Sequence, residues 1–256
     1  MNRIDQLFRE KHHHVLSVYC TAGYPHLNSI ADVLTSLQKH GTDIVEIGMP
    51  YSDPLADGPV IQQSNMVALE NGMSIPVLFE QLKNIRNSIQ LPILLMGYVN
   101  PILQFGLERF CEAAETVGVD GIILPDLPML EFETEYQQLF EKHNLRFVFL
   151  VTPETSEERI KKIDGLSSGF LYAVSSSSTT GNSKFIGGQE TYFKKLQAMK
   201  LKNPILVGFG IRDRSTFQSA CQYTNGALIG SAYIKALENT SSVDLSTKEF
   251  LNTILA

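Results

Sequence analysis

Eight short apolar runs, at residues 15–20, 43–47, 92–96, 119–124, 146–151, 169–174, 204–208 and 226–229, recur along this chain with helical patterns between them. Runs that are apolar on every residue suit strands covered on both faces, which is how parallel sheets are built. The intervals supply the cover. Asn28 reads as an N-cap ahead of the stripe Ile30, Val33, Leu34 and Leu37, which stops near Gly41. Ser156 with Glu157 and Glu158 opens another helix, and residues 105–117, 131–143, 189–199 and 212–222 fill four more intervals. Eight such alternations in 256 residues predict an α/β chain folded as a single (β/α)8 TIM barrel spanning residues 1–256. The rival, an open doubly wound sheet, normally carries a glycine fingerprint after its first strand, whereas here the first strand runs into Thr21-Ala22-Gly23-Tyr24-Pro25. Two segments stand outside the repeat: an extra N-terminal helix at 2–10 and a short extra helix after strand eight at 231–238.

Charge and composition exclude several classes of function. The net charge of -6 is spread without a basic block, which argues against a nucleic-acid surface or an acidic membrane as partner. No apolar run reaches the roughly 18 residues of a membrane span, and the N-terminus lacks the apolar core of a signal peptide, so a cytoplasmic protein is expected. Cys20, Cys111 and Cys221 are odd in number and far apart, which speaks against a disulfide framework.

Residues 43–63, DIVEIGMPYSDPLADGPVIQQ, carry the chemistry. Glu46 is a carboxylate inside an apolar strand, and burying it unpaired would cost several kcal/mol, a cost usually tolerated for chemistry. The alternative is a strand that ends there with Glu46 in solvent. Asp53 and Asp57 follow in a loop whose freedom Pro50, Pro54 and Pro59 limit. In a barrel this acidic loop falls at the C-terminal ends of the strands, where barrel enzymes do their chemistry. At the far rim, Gly208-Phe209-Gly210 after the seventh strand and Gly230-Ser231 after the eighth suit a phosphate, because backbone N–H groups must approach an anion closely; Thr180-Gly181 after the sixth adds a third piece. A Schiff-base mechanism would need a lysine on a strand end, and none of the eight apolar runs contains one. A metal-dependent one would need converging ligands, but the histidines fall at 12, 13, 14, 26, 40 and 143, and His12-His13-His14 reads as a surface cluster.

The segment VEIGMPYSDPLADGPVIQ, with LLMGYVNP, ILPDLP, YAVSSSSTTG, VGFGI and IGSA in support, resembles the α subunit of tryptophan synthase, and the likeness covers essentially the whole chain. It implies a carbon–carbon lyase that splits indole-3-glycerol phosphate into indole and glyceraldehyde 3-phosphate in tryptophan biosynthesis. Indole would then pass to a β subunit in an α2β2 heterotetramer. No cofactor is implied in this chain; pyridoxal phosphate belongs to the β partner. By resemblance Glu46 moves protons and Asp57 holds the indole N–H, while Asp53 orders the loop or meets the partner. Tyr19, Tyr98 and Asp126 match the indole pocket, Tyr172 the side-chain hydroxyls, Gly181, Gly210, Gly230 and Ser231 the phosphate contacts, and Phe209 lies beside them against the ring. Thr180 belongs to a lid that meets Asp57. In the family this lid reads close to S-x-x-G-V-T-G, but here Ser178 and Thr179 replace Gly and Val and an early basic residue is absent. Loss of a hinge glycine could slow closure, which leaves two alternatives open: a weak lyase acting mainly as allosteric activator of the β subunit, or a stand-alone lyase.

Overall fold

The computed structural model describes residues 1–174, 189–208 and 210–256. Its strands are β1 (Val15–Thr21), β2 (Ile44–Gly48), β3 (Ile93–Met96), β4 (Gly121–Ile123), β5 (Arg146–Phe147), β6 (Leu150–Val151), β7 (Leu171–Val174), β8 (Ile205–Gly208) and β9 (Gly226–Ile229). All pair in parallel, in the order β5-β4-β3-β2-β1-β9-β8-β7-β6. β5 and β6 come from the single run 146–151, and the ladder continues through the gap between them. Val148 N–H donates to Ile122 C=O at 3.0 Å, while Phe147 C=O accepts from Ser168 N–H at 2.9 Å and Phe149 C=O from Tyr172 N–H at 3.0 Å. These bonds join the two ends of that strand order, so the sheet closes as the expected eight-membered TIM barrel.

Alternation sorts each strand between two cores. Leu16, Val18 and Cys20 of β1, Val45 and Ile47 of β2, and Ile93 and Leu95 of β3 face the surrounding helices. Val15, Ile44, Leu94, Ile123, Val148, Phe170, Tyr172, Leu206 and Leu228 fill the interior. The helix Arg3–Glu10 plugs the N-terminal end with Ile4 and Phe8. Gly121 and Gly169 make room for it, since a Cβ at either would come within 3.1 Å of Ile4. Asp120 ties this end together: its carboxylate accepts from Arg86 Nη2 at 2.9 Å, Arg3 Nη1 at 3.1 Å and Ile93 N–H at 3.0 Å. With that end sealed, the C-terminal mouth is left for a ligand.

Several local expectations need correction. The cap of helix Ile30–Lys39 falls at Ser29, and Asn28 instead accepts from Gln81 Nε2 at 3.1 Å. Gly106, at φ 97°, ends a further helix, Val99–Phe105, and opens Leu107–Thr116, which takes the place of the expected 105–117 helix. Helices Pro59–Glu70, Ile75–Ile85 and Val243–Leu255 add to the two expected extra segments. The N-terminal helix and the short helix Ser231–Ala236 are present where the sequence put them. No helix among the described residues is long and apolar enough to cross a membrane. Cys20, Cys111 and Cys221 are buried free thiols, and His12, His13 and His14 are exposed.

Candidate active site

Interior positions of β2 are Ile44, Glu46 and Gly48, so the strand's alternation turns Glu46 into the barrel rather than out to solvent. It is 1% exposed. Its partner is Ser17 of β1, also fully buried, whose Oγ donates to Glu46 Oε1 at 2.5 Å. Burial raises the Glu46 pKa to about 7, against an opposing pull from the Ser17 hydrogen bond. A carboxyl held that way can give and take a proton near neutrality.

Around Glu46 the next interior positions build a wall of hydroxyls. Tyr19, two residues beyond Ser17, lies across Gly48: a Cβ there would overlap the Tyr19 hydroxyl outright and stand 2.8 Å from Cε2. Tyr172 of β7 lies across Gly208 in the same way. Burial pushes both phenols well above their ordinary value, so both are neutral donors. Thr21 Oγ1 lies 2.7 Å from Ser64 Oγ and 3.4 Å from the Tyr19 hydroxyl, tying β1 to helix Pro59–Glu70.

Asp57 closes the mouth from the loop after β2. Tyr98 Oη donates to Asp57 Oδ2 at 3.0 Å and accepts from Ala56 N–H at 3.0 Å, so the tyrosine pins the acidic loop to the end of β3. Burial raises Asp57 to about 6 despite the Tyr98 hydrogen bond. Tyr19, Met49, Asp57, Asn65, Met96 and Tyr98 line a cavity of ≈ 10 Å³, room for about one water molecule. The Oδ1 of Asn65 is buried there with no hydrogen-bond partner among the described residues.

Along the same rim, where β9 and β8 follow β1 around the barrel, Gly210 adopts φ +78°, and Gly230 leads into helix Ser231–Ala236, whose Ile234 packs with Tyr19 and Ile61. The glycine corner therefore adjoins the cavity wall. Asp126 is exposed, and its two carboxylate oxygens accept from Val99 N–H, each at 3.1 Å, at the start of the helix after β3. It belongs to the rim rather than to the cavity lining. Asp53 is exposed and accepts from Ser52 Oγ at 2.6 Å. Thr180, Gly181 and Phe209, and with them the whole lid segment 175–181, lie outside the described residues. Sequence reasoning missed Ser17, Asn65, Thr21 and Ser64; the signal for Ser17 was its polar side chain in the every-second-residue series with Tyr19 and Thr21. Among the described residues no group of three or more His, Cys, Asp or Glu is placed to hold a metal ion.

Comparison with known proteins identifies the family. The family model described as "Tryptophan synthase alpha chain" matches residues 6–253. The tryptophan synthase alpha chain of Flavobacterium psychrophilum is 52% identical over 247 residues, covering 96% of this chain and 97% of that one. That of Flavobacterium johnsoniae is 50% identical over 255 residues, covering 99% of this chain and 100% of its own. Among solved structures, the alpha chain from Legionella pneumophila superposes with a TM-score of 0.88 at 30% identity, covering 99% and 96%. The tryptophan synthase complex from Pyrococcus furiosus matches with a TM-score of 0.86 at 32% identity, covering 94% and 97%. A buried glutamate facing the barrel interior, an acidic loop at the barrel mouth and a glycine corner beside them agree with these matches: the chain belongs to the tryptophan synthase alpha chain family, lyases that cleave indole-3-glycerol phosphate in tryptophan biosynthesis.

Proposed function

We propose that Glu46 is the proton carrier of this retro-aldol cleavage and Asp57 its electrostatic partner. The observation that carries the reading is Glu46 itself: fully buried, held on one oxygen by Ser17, with a pKa of about 7. Indole leaves as a neutral ring only after C3 is protonated. The protonated Glu46 gives its proton to C3, and the positive charge that develops spreads to the ring nitrogen, whose N–H donates to the Asp57 carboxylate. With a pKa of about 6, Asp57 is mostly ionised at neutral pH while Glu46 populates both forms. The Glu46 carboxylate then takes the proton of the hydroxyl on the adjacent side-chain carbon. That oxygen's electron pair forms the aldehyde C=O as the bond to C3 breaks, and the bonding pair restores the aromatic ring. Indole and glyceraldehyde 3-phosphate result, with Glu46 protonated as at the start.

Tyr19 and Tyr98 flank the ring, Asp126 orders the rim behind Tyr98, and Tyr172 meets the side-chain hydroxyls. The backbone N–H groups of Gly210, Gly230 and Ser231 hold the phosphate, and Gly181, Phe209 and Thr180 keep the roles that the family likeness implies for them. The chain needs no cofactor of its own. It works in the cytoplasm with a β subunit that carries pyridoxal phosphate, in an α2β2 assembly; the solved complexes among its structural relatives support the partnership. The test is Glu46→Gln, assayed for indole release from indole-3-glycerol phosphate alone and with a β subunit. Activity should vanish with the circular dichroism spectrum unchanged. Retention of more than about a tenth of wild-type turnover would sink the assignment, since positioned acid–base catalysis is worth about 10² to 10⁴.

A further inference from the structure

Among the described residues Ser17 is the one polar side chain beside Glu46 in the lower interior of the barrel. Its interior neighbours on that side, Val15 on its own strand, Ile44 of β2 and Leu228 of β9, are all apolar. A serine at 0% exposure must satisfy its hydroxyl, and this one does so on Glu46 Oε1 at 2.5 Å, in the short range of O–H···O hydrogen bonds to carboxylates. The two residues sit on adjacent strands whose register pairs Ser17 with Ile44 and Tyr19 with Glu46, so the bond is set by the ladder and not by a flexible loop. With Oε1 accepting from Ser17, the proton of the neutral carboxyl resides on Oε2.

We propose that Ser17 is a positioning residue of the lyase reaction: its hydroxyl, fixed on Glu46 Oε1, confines the exchangeable proton to Oε2 and aims that oxygen at the reacting carbons. The inference rests on the reading of Glu46 as proton carrier. It supplies what that reading lacks, a reason why one oxygen of the carboxyl performs both transfers. The titratable groups on which Glu46 acts are Cys20 of β1 and Tyr172 of β7, and Tyr19 of β1 and Asp57 in the loop above act on Tyr172 in turn. Burial pushes Cys20, Tyr19 and Tyr172 upward, so these three stay neutral while Glu46 titrates, and among the described residues no cation is paired with the carboxyl.

The test is the pH dependence of kcat and KM for indole-3-glycerol phosphate in the full chain carrying Ser17→Ala, with Ser17→Thr as the variant that keeps a hydroxyl. Because the protonated carboxyl starts the reaction, activity falls as pH rises through the Glu46 pKa. The Ser17 bond favours the ionised form, so its removal must move that descending limb to higher pH, by about one unit for a charge-assisted bond. Ser17→Ala should also lower the acid-side plateau of kcat about tenfold with KM changed less than about twofold, and Ser17→Thr should return the limb toward the wild-type position. A carbon-13 titration of the Glu46 carboxyl in wild type and Ser17→Ala reads the same movement without turnover, which covers the case in which threonine does not fit. An unmoved titration in Ser17→Ala overturns the inference, as does an unchanged plateau. If Glu46→Gln retains turnover, the reading of Glu46 fails as well; if it is dead while the Ser17→Ala titration stays put, only the role of Ser17 falls.

Discussion

Replacing Glu46 by glutamine should make the protein more stable above neutral pH while removing its activity. In the unfolded chain Glu46 titrates at the ordinary value of 4.5, and in the fold at about 7. Between those two values the folded state holds a proton that the unfolded state has released. Stability from this group is therefore complete below about pH 4.5 and is lost as pH rises through about 7. At about 1.4 kcal/mol per pH unit the rise corresponds to roughly 3 kcal/mol, an appreciable part of the 5–15 kcal/mol by which domains are typically stable. Glutamine keeps the shape and the Oε1 that accepts from Ser17, but has nothing to ionise. Urea unfolding at pH 5 and pH 8 on both proteins gives the answer. The difference in unfolding free energy, variant minus wild type, should grow by roughly 3 kcal/mol in the variant's favour between the two pH values, whatever its offset at pH 5. Asp57, raised to about 6, contributes its own loss in both proteins and cancels. A difference that stays flat with pH would show that Glu46 titrates normally, and the argument for a proton carrier tuned by burial would fail.

Three further outcomes follow from the geometry. Gly48→Ala should cost about 1–3 kcal/mol and lower kcat/KM at least tenfold, because the new Cβ overlaps the Tyr19 ring, which Ile61 and Ile234 keep from stepping aside; wild-type kinetics would show that the position of Tyr19 is immaterial. Tyr98→Phe removes the donor that holds the Asp57 pKa down, so the acid limb of kcat/KM, where Asp57 becomes protonated, should move to higher pH; a pH–rate profile with that limb unmoved contradicts the Tyr98–Asp57 pairing. Arg86→Met leaves Asp120 buried with fewer donors and breaks bonds to the carbonyls of Gly118, Ile89 and Leu91, and chemical unfolding should show a loss of about 3–5 kcal/mol; a loss below about 1 kcal/mol would refute the buried network as a stabilising element.

The barrel was legible because its signal is repetition: each strand contributes one buried run, and eight runs at similar spacing leave little choice of architecture. The acidic loop was legible because a charge in such a run is rare. Glu46 could equally have ended its strand in solvent, and what decides the matter is register, since pairing with Tyr19 puts it on the interior face. Ser17 was missed for the same reason. Serine in an apolar run carries no charge and breaks no pattern, and only the fold shows that it meets Glu46, 29 positions away. Helices Pro59–Glu70 and Ile75–Ile85 were missed because the first opens on a proline inside the acidic motif, where loop chemistry masks an N1 proline. Asn28 suits a cap by residue type, but Ser29 is the residue that precedes the helix, and its Oγ turns back to accept from His26 N–H at 3.1 Å.

The two ends of the barrel are coupled through β3. Asp120 at the closed end accepts from Ile93 N–H, and its own N–H donates to Ile93 C=O at 2.8 Å, fixing the start of β3 against β4. From Ile93 the strand needs only about 10 Å to reach Met96, a wall of the cavity, with Tyr98 two residues further on. The hydroxyl of Tyr98 then holds Asp57 and Ala56. The acidic loop is thus anchored to a strand whose origin is locked by a buried ion network, which is how a loop can present a carboxylate with the constancy that catalysis needs.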